Sequence, residues 1–172
     1  MRFTILLTAA LGAALAAASV ASAHVKLDPA QAPAGSDSRF AIVVLSEDPA
    51  SPTTKVTVKI PLPIASVAFE AKPGWRRTVT IDKLAKPVVL DGETIKSRVS
   101  TVTWTASGST IAPGEFAVFS ILVAVPDKAG AKLAFPTVQT YANGRVVRWI
   151  GPADADLPAP VLAVGAAPKG GS

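Results

Sequence analysis

Apolar and polar residues alternate in steps of two along most of this chain, which is the period of a half-buried strand. Val56, Val58 and Ile60 alternate with Lys55, Thr57 and Lys59; Val79 and Ile81 with Thr78, Thr80 and Asp82; Val102 and Trp104 with Thr101 and Thr103. The run Phe116–Val125 is almost continuously apolar and predicts a strand covered on both faces. Turn-forming clusters separate these runs, among them Lys72-Pro73-Gly74, Asp91-Gly92, Pro113-Gly114 and Asn143-Gly144. Asn143-Gly144 sits between Val138–Tyr141 and Arg145–Trp149, and both residues tolerate the positive φ of a two-residue type I′ hairpin turn. About eight or nine strands at this spacing, with no amphipathic helix, predict an all-β fold: an antiparallel β-sandwich, immunoglobulin-like in the broad sense. A closed barrel is the alternative. From Leu157 the chain becomes rich in Pro, Ala and Gly, which predicts a disordered tail over 157–172 behind a sandwich domain of residues 24–156.

One stretch breaks the alternation. Residues 1–23 carry Arg2, then an Ala/Leu-rich apolar segment, and end in Ala21-Ser22-Ala23. That is the pattern of a cleaved secretory signal peptide, so the mature chain is expected to begin at His24 and to work in the periplasm or outside the cell. No later segment has the roughly 20 uninterrupted apolar residues of a spanning helix, so no transmembrane anchor is expected once the signal is removed. The signal inflates the apolar fraction of 49%; without it the fraction is about 45%, ordinary for a soluble domain. The net charge of +5 is mild and its basic residues are scattered from Lys55 to Arg148. Scatter and export together argue against nucleic acid as a partner.

The chain has no Cys and one His. These counts exclude a disulfide framework, an iron–sulfur cluster, a Cys-based zinc site, a Cys nucleophile and a multi-His metal site within one chain. Any Ser-His-Asp triad would depend on that one His. No G-x-S-x-G elbow, Walker loop or dinucleotide fingerprint is present, and the chain is not expected to be an enzyme.

The single His is His24, at the expected mature N-terminus. An N-terminal His offers two nitrogens, the α-amine and an imidazole nitrogen, which can close a chelate ring on one metal ion. Their ordinary pKa values, about 7.7–8.0 and 6.5, let a metal displace their protons near neutral pH. Nitrogen ligands in a tetragonal plane suit Cu(II), with the Val25 amide as a further donor if deprotonated. The one Met is Met1, in the signal, so the mature chain has no soft sulfur ligand and favours Cu(II) over Cu(I). The residue-level alternative is a solvated terminal His with no role.

Several segments in order carry a family resemblance: the mature start at His24, APAGS (32–36), PTTKVTVKIP (52–61), KPGW (72–75), VTW (102–104), APGEF (112–116) and QTYANGRVVRWIGP (139–152). Together they resemble the YcnI-like family of secreted copper-binding domains. The resemblance implies a β-sandwich that binds Cu(II) through a single-His brace: the terminal His supplies amine and imidazole, a carboxylate assists, and a Trp lies beside the metal. The His is His24 here and the Trp is Trp149, which by the residues alone reads as a core side chain at a strand end. The family's carboxylate position falls on Ser97, so either another acid serves, with Glu70 and Glu93 the nearest candidates in sequence, or water fills the place and affinity falls; both acids, like Glu115, otherwise read as surface residues. The expected function is thus an exported copper-binding protein that buffers, carries or delivers Cu(II) outside the cytoplasm, with a copper-handling envelope or membrane protein as partner. The alternative is a metal-independent β-sandwich that binds an envelope protein.

Overall fold

The computed structural model describes residues 25–90 and 92–168. The expected signal segment, His24, Asp91 and residues 169–172 lie outside the described residues. Twelve strands follow one another: β1 (Lys26–Asp28), β2 (Gln31–Pro33), β3 (Asp37–Leu45), β4 (Thr53–Lys59), β5 (Val67–Phe69), β6 (Trp75–Leu90), β7 (Glu93–Ala106), β8 (Phe116–Ala124), β9 (Lys132–Ala134), β10 (Thr137–Tyr141), β11 (Val146–Trp149) and β12 (Val161–Gly165). There is no helix among the described residues. The strands beyond the expected eight or nine are mostly three residues long, too short to display a period.

Two antiparallel sheets carry the fold, one ordered β1-β3-β8-β5 and the other β11-β10-β4-β7-β6. The sandwich is the expected architecture, and its core is the sum of the inward positions of the alternation. Phe40, Ile42 and Val44 on β3 and Phe119, Ile121 and Val123 on β8 face Val56 and Val58 on β4 and Val102 and Trp104 on β7, all buried. Aromatic rings bridge the layers: Phe119 lies 4.9 Å from Trp104 and 5.2 Å from Trp75, centroid to centroid. Such pairs add about 0.5–1.5 kcal/mol beyond the area they bury.

β8 differs from expectation. Its inward residues are buried, but Phe116, Val118 and Leu122 on the other face are 64%, 40% and 46% exposed. Among the described residues no third layer covers Phe116, Val118 and Leu122, so a nearly continuous apolar run has only one protected side.

The segment expected to be a disordered tail also differs. β12 lies between β2, to which it is parallel, and β9, to which it is antiparallel, in a small third sheet. Leu162 is fully buried and Val164 is 3% exposed. A Pro/Ala/Gly-rich composition marks a poor stand-alone core, yet β12 borrows its partners from residues far back in the sequence.

The Asn143-Gly144 hairpin is present with a longer loop than a two-residue turn. Gly144 N–H donates to the Tyr141 carbonyl at 3.0 Å, Tyr141 N–H to the Arg145 carbonyl at 2.9 Å, and Gly144 has φ 86°. The extra residue lets Asn143 reach outward, its N–H donating to Ser51 Oγ at 3.0 Å and its Nδ2 to Asp48 at 3.2 Å. In the KPGW turn, Gly74 (φ 73°) presses on Ser109: a Cβ there would stand 2.5 Å from the Ser109 Cβ, so glycine is required on two counts.

Candidate metal centre

β10 places polar residues where the alternation calls for core. Thr137, Gln139 and Tyr141 all point inward and are buried. Thr137 satisfies itself locally by donating to the Phe135 carbonyl at 2.9 Å. Gln139 reaches across the sandwich. Its Nε2 donates to the Leu45 carbonyl at 2.9 Å and to Thr53 Oγ1 at 2.7 Å, and Thr53 Oγ1 in turn donates to Ser46 Oγ at 3.2 Å. Its Oε1 accepts the Trp149 indole N–H at 3.3 Å. Both amide hydrogens and the amide oxygen are therefore used, as a fully buried Gln requires. Trp149 stands opposite Thr137 on β11 and is 3% exposed, so the core position read from its residues is what the fold provides.

The network runs from Trp149, at the level of Val58, to Leu45 and Thr53 at the other end of β4, and the N-terminal strand leads to the Leu45 end. In the antiparallel β1–β3 ladder Lys26 faces Val43, Leu27 faces Ile42 and Asp28 faces Ala41. Traced backwards from Lys26, the chain thus runs toward Leu45, whose carbonyl Gln139 holds. Val25, the first described residue, is buried. His24 is outside the described residues.

The acids at this end divide by role. Asp48 is buried, and both its oxygens are committed: Oδ1 accepts Ala50 N–H at 2.9 Å, and Oδ2 accepts Asn143 Nδ2 at 3.2 Å and Arg145 Nη1 at 3.5 Å. The Ala50 N–H first, then Asn143 and Arg145, hold its carboxyl below the ordinary 3.8 against the opposing effect of burial. It anchors the loop after β3 to the β10–β11 hairpin. Glu47, one residue earlier, is exposed, and its backbone N–H donates to the Tyr141 hydroxyl at 3.3 Å. Glu115 touches the same end through its carbonyl, which accepts Ser46 N–H at 2.8 Å, while its carboxylate caps Ala112 N–H in its own turn.

Ser97 is elsewhere. It faces Lys83 on the β6–β7 arm, beyond the Lys59 end of β4. Along β7 that is roughly 30 Å from the level of Thr53 at about 3.3 Å per residue. Glu93 is further out, opposite Leu90, and Glu70 follows β5 at the other edge of the four-stranded sheet. None of these three is near Trp149. Sequence reasoning missed Gln139 and Glu47. An inward-facing Gln within a strand pattern was the available signal for the first; for the second it was an acid pair directly after a long strand. Among the described residues, no three His, Cys, Asp or Glu side chains cluster to hold a metal ion.

Comparison with known proteins adds a family and a fold. The family described as "Domain of unknown function (DUF1775)" matches residues 24–164. A protein of Bacillus subtilis (strain 168), named copper-binding protein CutI, is 35% identical over 150 residues, which is 87% of this chain and 66% of that protein. This chain therefore spans just under two thirds of the length of that relative. The crystal structure of an uncharacterized protein from Nocardia farcinica, described as revealing an immunoglobulin-like fold, aligns with a TM-score of 0.65 and 31% identity over 83% of this chain and 98% of that one.

Proposed function

The chain belongs to the YcnI-like family, domain of unknown function DUF1775, and from that premise we propose that it is an exported copper-binding protein that holds Cu(II) at a mature N-terminus formed by His24. Copper is its cargo, buffered, carried or delivered outside the cytoplasm to a copper-handling envelope or membrane protein. The supporting observation is that the chain leading into β1 runs toward the Leu45 carbonyl, which the buried Gln139 holds, and that Gln139 in turn is bonded by Trp149. The name of the Bacillus subtilis relative agrees with this cargo.

In this reading the His24 amine and imidazole form the chelate, and Trp149 shields one side of the metal. We assign the oxygen donor to Glu47, the exposed acid two residues beyond Leu45, because the chain leading into β1 runs toward Leu45 while Ser97 lies beyond the Lys59 end of β4. The donor set contains nitrogen and oxygen only, which suits Cu(II).

One Cu(II) per chain is expected by native mass spectrometry of the secreted protein, which also fixes the N-terminus. Adding one residue before His24 acylates the amine and removes a ligand, so affinity should fall about 100-fold, some 2.7 kcal/mol. Unchanged affinity in the extended chain overturns the brace.

A second reading, metal-independent recognition of an envelope protein, has one observation in its favour: the uncovered apolar face of β8 with Phe116, Val118 and Leu122. Under it, His24→Ala keeps full biological activity.

A further inference from the structure

At the end of β4 remote from Thr53, about 20 Å along the strand, the molecule carries a cleft of about 440 Å³. Its walls include Lys59 and Leu62 at the exit of β4, Asp82 and Lys83 from β6, and Arg98 and Ser100 from β7. Backbone bonds from Lys59 N–H to the Pro136 carbonyl at 2.9 Å and from Ile60 N–H to the Ser100 carbonyl at 3.0 Å hold these walls together.

Arg98 is the unusual member. The other basic residues of this arm are exposed, but Arg98 is only 6% exposed. Its Nη1 and Nη2 donate to the Ile60 carbonyl and Nη1 also to the Val99 carbonyl, at 3.1 Å, while its buried Nε has no partner. Carbonyl dipoles orient a guanidinium but do not neutralise it, and a buried cation without a counter-charge is costly. Asp82 faces Arg98 across the β6–β7 ladder, yet no ion pair joins them. Lys59, Lys83 and Arg98 outweigh this one carboxylate, so the cleft is net positive.

Exposed apolar side chains lie on the cleft wall and along the arm beside it. Leu62 on the cleft wall is 78% exposed, and Ile81 and Val89 along the same arm are 63% and 72% exposed. Cations alone would suit a free anion in solution. Cations interleaved with protruding apolar side chains suit a surface that is anionic at its headgroups and apolar beneath them. We infer that this cleft docks the phosphate group of an anionic phospholipid, with Leu62 entering the interface. Lys59 and Lys83 supply the attraction, and Arg98 supplies the fixed charge behind them. Docked by this end, the protein presents the Leu45–Thr53 end to the aqueous phase. The inference does not depend on copper binding.

The test is co-sedimentation of the mature chain with vesicles of phosphatidylcholine alone and with phosphatidylglycerol added. Partition into the phosphatidylglycerol vesicles only, competed by inorganic phosphate, is expected. The double variant Lys59→Glu/Lys83→Glu should weaken it about tenfold or more, and Leu62→Ser should weaken it as well. These three side chains are exposed, so the variants should melt like the parent; Arg98→Gln, which risks the fold, is a supplementary variant. Absence of binding to phosphatidylglycerol vesicles, or binding that survives the double charge reversal, overturns the site. Binding of inorganic phosphate without vesicle partition overturns the lipid as occupant, and full binding by Leu62→Ser overturns the apolar contact.

Discussion

Gln139 is the residue on which most of the candidate centre turns. It joins β10 to the end of β3 through Leu45, to β4 through Thr53, and to β11 through Trp149, with no water-facing atom. Gln139→Leu keeps much of the volume but leaves an indole N–H, a carbonyl and a hydroxyl without their buried partner. Each such group costs about 1–3 kcal/mol, partly relieved by relaxation, so a loss of about 3 kcal/mol in unfolding free energy is expected from denaturant titration. Adding Trp149→Phe to that variant removes the stranded indole N–H, and the pair should be non-additive in a double-mutant cycle. The alternation puts Gln139 on the inward face, and that much is legible in sequence. Its partners are not, because both lie far away along the chain: the pairing of β10 with β4 brings Thr53, and the packing of the two sheets brings Leu45, within 3 Å of its amide.

Among the elements, the long strands were legible and the borrowed ones were not. β4 and β7 carry enough alternating positions to show a period of two, and each forms the strand its pattern predicts, while β8 was read as a strand from its continuous apolar run. β12 has five residues, and its neighbours are three-residue strands from opposite ends of the chain. Nothing local distinguishes it from a linker. A chain ended at Pro160 tests the difference. It removes Leu162 and Val164 from the core and leaves β2 and β9 unpaired, with an expected loss of about 3–5 kcal/mol. The readouts are thermal unfolding and limited proteolysis; a disordered tail would leave both unchanged. The uncovered side of β8 has the converse origin: an apolar run reports that a strand can be buried on both faces, and the number of layers decides whether it is.

For the molecule as a whole, charge and polarity are unevenly spread. One end gathers Asp48, Arg145 and the Gln139 network, the other the Arg98 cleft. The Asp48–Arg145 pair is backed by the Ala50 N–H and Asn143, and its carboxyl is held below 3.8. The folded state therefore binds fewer protons here than the unfolded chain does. The stability that Asp48 contributes is complete above about pH 5 and is lost as pH falls through the ordinary carboxylate value toward the lowered one. Melting temperature followed against pH should show a gap between the parent and Asp48→Asn that closes on acidification in that window. A gap independent of pH would mean that shape, not charge, holds the loop.

By itself the sequence determined the period of β4 and β7 and their inward residues, the absence of sulfur ligands after Met1, and a lone His beside a cleavage pattern. These follow from local order and composition, which any stretch of chain carries without its partners. Tertiary structure alone decided that Ser97 is remote from the Leu45 end, that Asp48 ties the loop after β3 to the β10–β11 hairpin, that β12 is part of the fold, and that Arg98 is buried. Each of these depends on which distant segments the sheets bring together. Strand register relates residues far apart in the chain, and spacing within one segment contains no record of it.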